Sequence, residues 1–224
     1  GNMPEIETMD RVIRSCAHRF KLQNISMVFD RGLVSEEHLD LIEEKHLKYI
    51  TALDRDQIPH VPHMDLWVFK DLDLDNASEL IPQLHGFTKF DSSLYYRDLG
   101  VTGKRRHLVG INSERFLQDR KTRQEKMECF RRFLVQINRS LKKAKRDRNV
   151  DSTRNQVIHE LKRLKIKKYY EDPQLREISV HIPLVNGSRK PVRTFRVTVK
   201  EDQERIAKEK LTDGRCVFVT NHIE

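Results

Sequence analysis

Glycine is scarce in this chain, at 8 of 224 residues. No glycine-rich phosphate loop of the GxxxxGK[ST] type and no GxGxxG fingerprint is present, so P-loop nucleotide hydrolysis and dinucleotide redox chemistry have no backbone cradle to work from. Cysteine is scarcer still. Cys16, Cys129 and Cys216 are odd in number and far apart. They form no CxxC pair and no zinc spacing, which points to a reducing compartment. Tryptophan occurs once. No apolar run approaches the roughly 20 residues of a membrane span, and no basic-then-apolar leader opens the chain. The expectation is a cytoplasmic chain without a membrane partner.

What is abundant is charge. Charged residues make up 34% of the chain, the net charge is +9, the pI is about 9.5 and the mean hydropathy is −0.70. The natural partner of such a chain is a polyanion. The charge is also segregated. Residues 104–168 hold 22 Lys and Arg against 7 Asp and Glu, which leaves the remainder acidic by 6.

Apolar spacing predicts a helix over residues 5–20 (Ile6, Met9, Val12, Ile13, Cys16, Ala17, Phe20) and a short strand at Ile25-Ser26-Met27-Val28-Phe29. Ser35 is placed to cap a second helix running to about His46, with Glu36 and Glu37 at its positive end and Leu39, Leu41 and Ile42 on its buried side. Lys48–Leu53 reads as a second strand. Helix, strand, helix, strand with short connections is an α/β grammar. Residues 54–92 are irregular, with Trp67-Val68-Phe69 as the expected anchor. Ser93–Leu99 and Arg105–Ile111 read as a hairpin turning through Gly100 and Gly103.

A long helix is expected over about 113–146. Met127, Phe130, Leu134, Ile137, Leu141 and Ala144 step by alternating threes and fours, a heptad seam. A second helix over about 152–166 offers Val157, Leu161 and Leu164, so the two should fold back as an antiparallel helical hairpin with its basic face in water. Alternation at 178–184 and 194–199 predicts two strands with Asn186-Gly187 between them. A helix over 200–211 and a buried-type strand at Cys216–Thr220 complete the pattern.

Asp30 stands out among the candidate site residues. It closes the first strand and is followed by Arg31-Gly32. A carboxylate at the carboxyl end of a strand can project into the open edge of a sheet and hold a divalent metal, although an Asp in that position is also a common turn former. Two-metal phosphoryl transfer needs several carboxylates around ions about 4 Å apart. Asp10, Glu36, Glu37, Asp40, Asp54 and Asp56 are near Asp30 in sequence, and their spacing selects none of them. His60, His63 and Asp65 form an HxxHxD cluster in a proline-containing loop, where solvated histidines are the default. Trp67, Tyr95 and Tyr96 are candidates for base stacking or for hairpin packing. Lys142, Lys143, Lys145, Arg146 and Arg148, around the hairpin turn, are the candidate nucleic-acid contacts.

Val28-Phe29-Asp30-Arg31-Gly32-Leu33-Val34-Ser35-Glu36-Glu37, followed by Tyr49-Ile50-Thr51-Ala52-Leu53, resembles the segment around the second catalytic Asp of insertion-sequence DDE transposases. The opening Gly1–Met9 resembles the stretch before that segment. Asp213-Gly214-Arg215-Cys216-Val217-Phe218-Val219-Thr220-Asn221 resembles the strand that re-enters the catalytic core after the family's insertion domain. The resemblance implies an RNase H-like core over residues 1–56, an insertion domain of strands and a helical hairpin over 57–212, and a returning strand over 213–224. It implies DNA cleavage and joining at element ends with Mg²⁺ or Mn²⁺, Asp30 as a catalytic metal ligand, Arg31 and Gly32 as shapers of its loop, and location at a bacterial nucleoid. The family's first Asp and final Glu have no counterpart here, since Glu224 lacks the required context. The expectation is therefore a partial chain, inactive alone. Two other readings compete: a non-catalytic nucleic-acid-binding module built on the basic hairpin, and a homodimer formed through the Met127–Ala144 seam.

Overall fold

The computed structural model describes residues 5–19, 25–30, 35–55, 57–61, 63–185 and 187–223. The chain divides into two compact units, one of residues 1–118 and 211–224 and the other of 119–210. The sequence places the insertion from residue 57. The contact boundary lies after 118, because the hairpin at 94–112 is hydrogen-bonded into the same sheet as the first two strands.

In the first unit, helix α1 (Glu5–Arg14) continues as a π-helical turn over Ser15–Arg19. Phe20, expected to end this helix, lies outside the described residues. Strand β1 (Ser26–Phe29), helix α2 (Glu36–Glu44) and strand β2 (Lys48–Ala52) follow. Ser35 caps α2 as its sequence suggests. Its Oγ accepts from the His38 N–H at 3.4 Å, and His38 Nδ1 accepts from the Ser35 N–H at 3.3 Å. This is a capping box with His in the place usual for Glu or Gln. Ile13, Leu39, Ile42, Leu47, Tyr49 and Val219 form one core, while Leu41 is only half-buried.

The described residues of 54–92 hold three 3₁₀ turns, at Ile58–His60, Leu66–Phe69 and Ile81–Gln83, and one-turn helix α3 (Ala77–Leu80). Within the expected anchor Trp67-Val68-Phe69 the buried member is Phe69, while Trp67 is 69% exposed. The Arg215 guanidinium carbon sits 3.5 Å from the centroid of the Phe69 ring, and Phe87 meets that ring edge-on at 5.6 Å. Strands β3 (Thr88–Lys89), β4 (Leu94–Thr102) and β5 (Arg105–Asn112) lead into helix α4 (Ser113–Lys142).

The second unit contains α4 from residue 119, α5 (Val150–Arg163), the two-stranded antiparallel ribbon β6 (Gln174–Pro183) and β7 (Arg189–Thr198), and α6 (Gln203–Lys210). Met127, Phe130, Ile137 and Leu141 pack with Val157, Leu161, Tyr170 and Val197. Most of the heptad seam is thus covered by its own chain, with Leu134 only partly buried.

The last strand, β8 (Arg215–Thr220), belongs to the first unit. The mixed six-stranded sheet runs β1-β2-β8-β5-β4-β3, and only β1 and β2 are parallel. β8 is therefore an inner strand, with Val217 and Val219 buried. Gly110 faces Cys216 across β5 and β8, and a Cβ there would lie 2.7 Å from the Cys216 sulfur. Asn221 prolongs the pairing: its Oδ1 accepts from the Tyr49 N–H at 3.0 Å and its Nδ2 donates to the Leu47 carbonyl at 2.9 Å.

Candidate functional site

Asp30 follows β1 directly and is exposed. The register pairs Phe29 with Thr51, so Asp30 stands at the carboxyl end of the parallel β1–β2 pair. In open sheets with parallel strands this edge is where ligands bind, because the side chains that leave strand ends converge there. Thr51 Oγ1 donates to the Phe29 carbonyl at 3.4 Å, tying β2 to the last residue before Asp30. Asp54 lies just past the end of β2, where its carbonyl accepts from the Gln57 and Ile58 N–H groups. Arg31, Gly32, Asp56 and Glu224 lie outside the described residues.

The other carboxylates near Asp30 in sequence are engaged elsewhere. Asp10 pairs with Arg14 at 2.9 Å. Glu37 accepts from Ser35 Oγ at 3.1 Å. Glu36, Asp40 and Glu43 line one face of α2 and converge on Arg105 of β5. Arg105 Nη1 bonds Glu36, Nη2 bonds Asp40 at 2.7 Å, and Nε bonds Glu43 at 2.7 Å. Tyr49 Oη also donates to Glu43, at 3.0 Å. Burial alone would lower the Arg105 pKa, but the Glu43 and Glu36 bonds outweigh it and raise the value. Burial, aided by the bond to Glu43, raises that of Tyr49. The sequence reading missed Arg105 and Glu43. The i, i+4, i+7 spacing of Glu36, Asp40 and Glu43 was visible as a common face, but the partner across the sheet was not.

A cleft of about 470 Å³ beside this cluster is lined by Glu36, Gln57, His60, Arg105, His107 and neighbouring apolar residues. Burial, and then the Arg105 charge, lowers the His107 pKa from its ordinary 6.5. Of the HxxHxD cluster, His60 lines this cleft, while Asp65 caps the next 3₁₀ turn through the Trp67 N–H at 2.9 Å. Among the described residues no group of three His, Cys, Asp or Glu side chains is arranged to hold a metal ion. Asp30 by itself falls short of the donor set that a Mg²⁺ or Mn²⁺ pair requires. Tyr95 is in the core, and Tyr96 packs edge-on against Phe90 at 6.3 Å, so hairpin packing accounts for both.

The second unit holds 27 Lys and Arg against 13 Asp and Glu, a net +14, while the first is at −5. Lys142 ends α4, and Lys143, Lys145, Arg146 and Arg148 occupy the turn before α5. All five are exposed, and none forms an ion pair among the described residues. The turn is pinned to β7: the Arg148 N–H donates to the Arg193 carbonyl at 2.9 Å, and the Arg193 N–H donates to Asp147 Oδ1 at 2.8 Å. Arg139 and Arg196, which sequence reasoning passed over, flank a groove close to this turn. No helix of the described residues is long and apolar enough to cross a membrane.

No family model, curated protein or solved structure matches this chain.

Proposed function

We propose that this chain acts on DNA as part of a DDE-type transposase. Asp30 would be one metal-binding carboxylate of an RNase H-like core, and the basic turn of the second unit would contact DNA phosphates. The observation that carries this reading is the exposed Asp30 at the carboxyl end of a parallel strand pair bridged by α2. The return of β8 beside β2 after a long excursion agrees with the motif order from which the resemblance was drawn. A Mg²⁺ or Mn²⁺ pair at this edge needs carboxylates beyond those the described residues supply. Such ions would stabilise charge on the attacked phosphate. Asp30 would help fix their position, and the cations at 142–148 would hold the duplex.

The test is a DNA-end joining assay in Mg²⁺ on the uninterrupted reading frame in its host context. Asp30→Ala should lower joining about a thousand-fold, the effect of several kcal/mol of lost transition-state stabilisation. Duplex binding should stay within about twofold, since a lone anion is no phosphate contact. Joining at the unmutated rate would remove the metal role from Asp30.

A second reading, a non-catalytic nucleic-acid-binding module, is favoured by the charge segregation of +14 against −5. It requires no divalent ion, and Asp30→Ala would then be silent in every assay.

A further inference from the structure

Between α4 and β7 of the second unit lies an open groove of about 520 Å³. Its floor is aliphatic, from Leu134, Val135, Val197 and Val199, and Val135 is 59% exposed. Arg139 and Lys142 stand on the helix bank and Arg196 on the strand bank. None of the three cations forms an ion pair among the described residues. Asn138 holds the two banks in place. Its Nδ2 donates to the Val197 carbonyl at 2.9 Å, and its Oδ1 accepts from the Val197 N–H at 2.8 Å. The Val197 backbone is thereby satisfied, and the helix and strand banks are tied together without a guest. Arg196 is also directly opposite Arg176 in the β6–β7 register. Like charges in that relation are destabilising, and an anion bound at Arg196 relieves the repulsion.

We propose that this groove binds an unpaired nucleic-acid strand, with Arg139, Lys142 and Arg196 on its phosphates and a base against Val135 and Val199. The proposal rests on the nucleic-acid reading given above and adds a specific site to it. Charge complementarity selects the occupant. The cations continue past the groove through Lys143, Lys145 and Arg146 on the adjoining turn, a row that suits a polymer carrying charge at every repeat. The apolar floor selects the form of that polymer. A duplex presents phosphates and sugars and keeps its bases stacked, so it gains nothing from an aliphatic surface. An unstacked base does gain from one.

The test is fluorescence anisotropy with a labelled oligothymidine and with a labelled duplex, on the full chain and on two variants, Arg139→Ala/Arg196→Ala and Val135→Asp. Both variants change exposed side chains, and circular dichroism confirms that each is folded. Each should weaken oligothymidine binding about tenfold or more at moderate salt, with duplex binding within about twofold of the unmutated chain. Unchanged oligothymidine binding overturns the groove proposal, as does an equal loss for both nucleic acids. In either case duplex binding that depends on the turn cations leaves the broader reading standing. Failure of the unmutated chain to bind either probe overturns both. An acidic amphipathic peptide that binds the unmutated chain, and loses affinity in these variants while oligothymidine does not, assigns the groove to a protein partner and overturns the proposal.

Discussion

Arg105 commits each edge of its guanidinium to a carboxylate of one helix, but the three bonds are unequal. Its side chain is 18% exposed and that of Glu43 is 13%, whereas Glu36 and Asp40 are 63% and 72% exposed. Exposed ion pairs contribute about 0–1 kcal/mol. Removing one partner of a buried pair costs about 3–5 kcal/mol, because the other charge is left desolvated. Arg105→Met should therefore destabilise the chain by about 2–3 kcal/mol in urea unfolding, since it strands Glu43 beside the Tyr49 hydroxyl. Glu36→Gln should shift it by less than about 1 kcal/mol. Equal effects from the two substitutions would mean that Glu43 is not the partner that matters.

Helix α5 begins at a turn that the charge pattern marked and that its cap makes definite. Asn149 Oδ1 accepts from the Ser152 N–H at 2.9 Å, and the Asn149 carbonyl accepts from Thr153 Oγ1 at 2.8 Å. Asn149→Ala should cost about 1 kcal/mol, and Asn149→Gly only a few tenths, because Gly leaves the first-turn amides open to water. Hydrogen exchange at the first turn of α5 checks this, with faster exchange in the alanine variant as the expected result. At the other side of the turn, α4 ends at Lys142 rather than near 146. The Lys143 and Ala144 N–H groups close back onto Ser140 and Leu141, which tightens the last turn and still buries Ala144, as the heptad spacing anticipates.

For the whole molecule, the proposed contact with a polyanion would rest on the unit of net charge +14, since the other carries −5. Each phosphate neutralised steepens the salt dependence of binding by about 0.9 in log–log slope. Replacing Lys142, Lys143, Lys145 and Arg146 together by Ala should flatten that slope by about 3–4 for a duplex, measured between about 50 and 200 mM salt. An unaltered slope would place the phosphate contacts elsewhere on the molecule.

Local rules were legible where they repeat within a few residues. The strand–helix–strand run at 26–52, the Ser35 cap and the seam of α4 follow from side-chain period and capping chemistry, and the hairpin of β4 and β5 from its glycines, all of which act over one or two turns. The position of Asp30 at a strand end was legible for the same reason. Tertiary structure decided what depends on distant partners. Which member of Trp67-Val68-Phe69 is buried could not be read, because residues 54–92 have no period and Arg215 covers the Phe69 ring from far along the chain. Arg105 gathers Glu36, Asp40 and Glu43 only because β5 and α2 belong to one folded unit. The groove of Arg139, Lys142 and Arg196 exists only because Asn138 fastens a helix to a strand edge 59 residues later in sequence. Sequence alone determined most elements outside residues 54–92 and the presence of a strongly basic block, since both are local sums. Which charges face one another was set by chain folding, since pairing across a sheet or groove leaves no periodic trace.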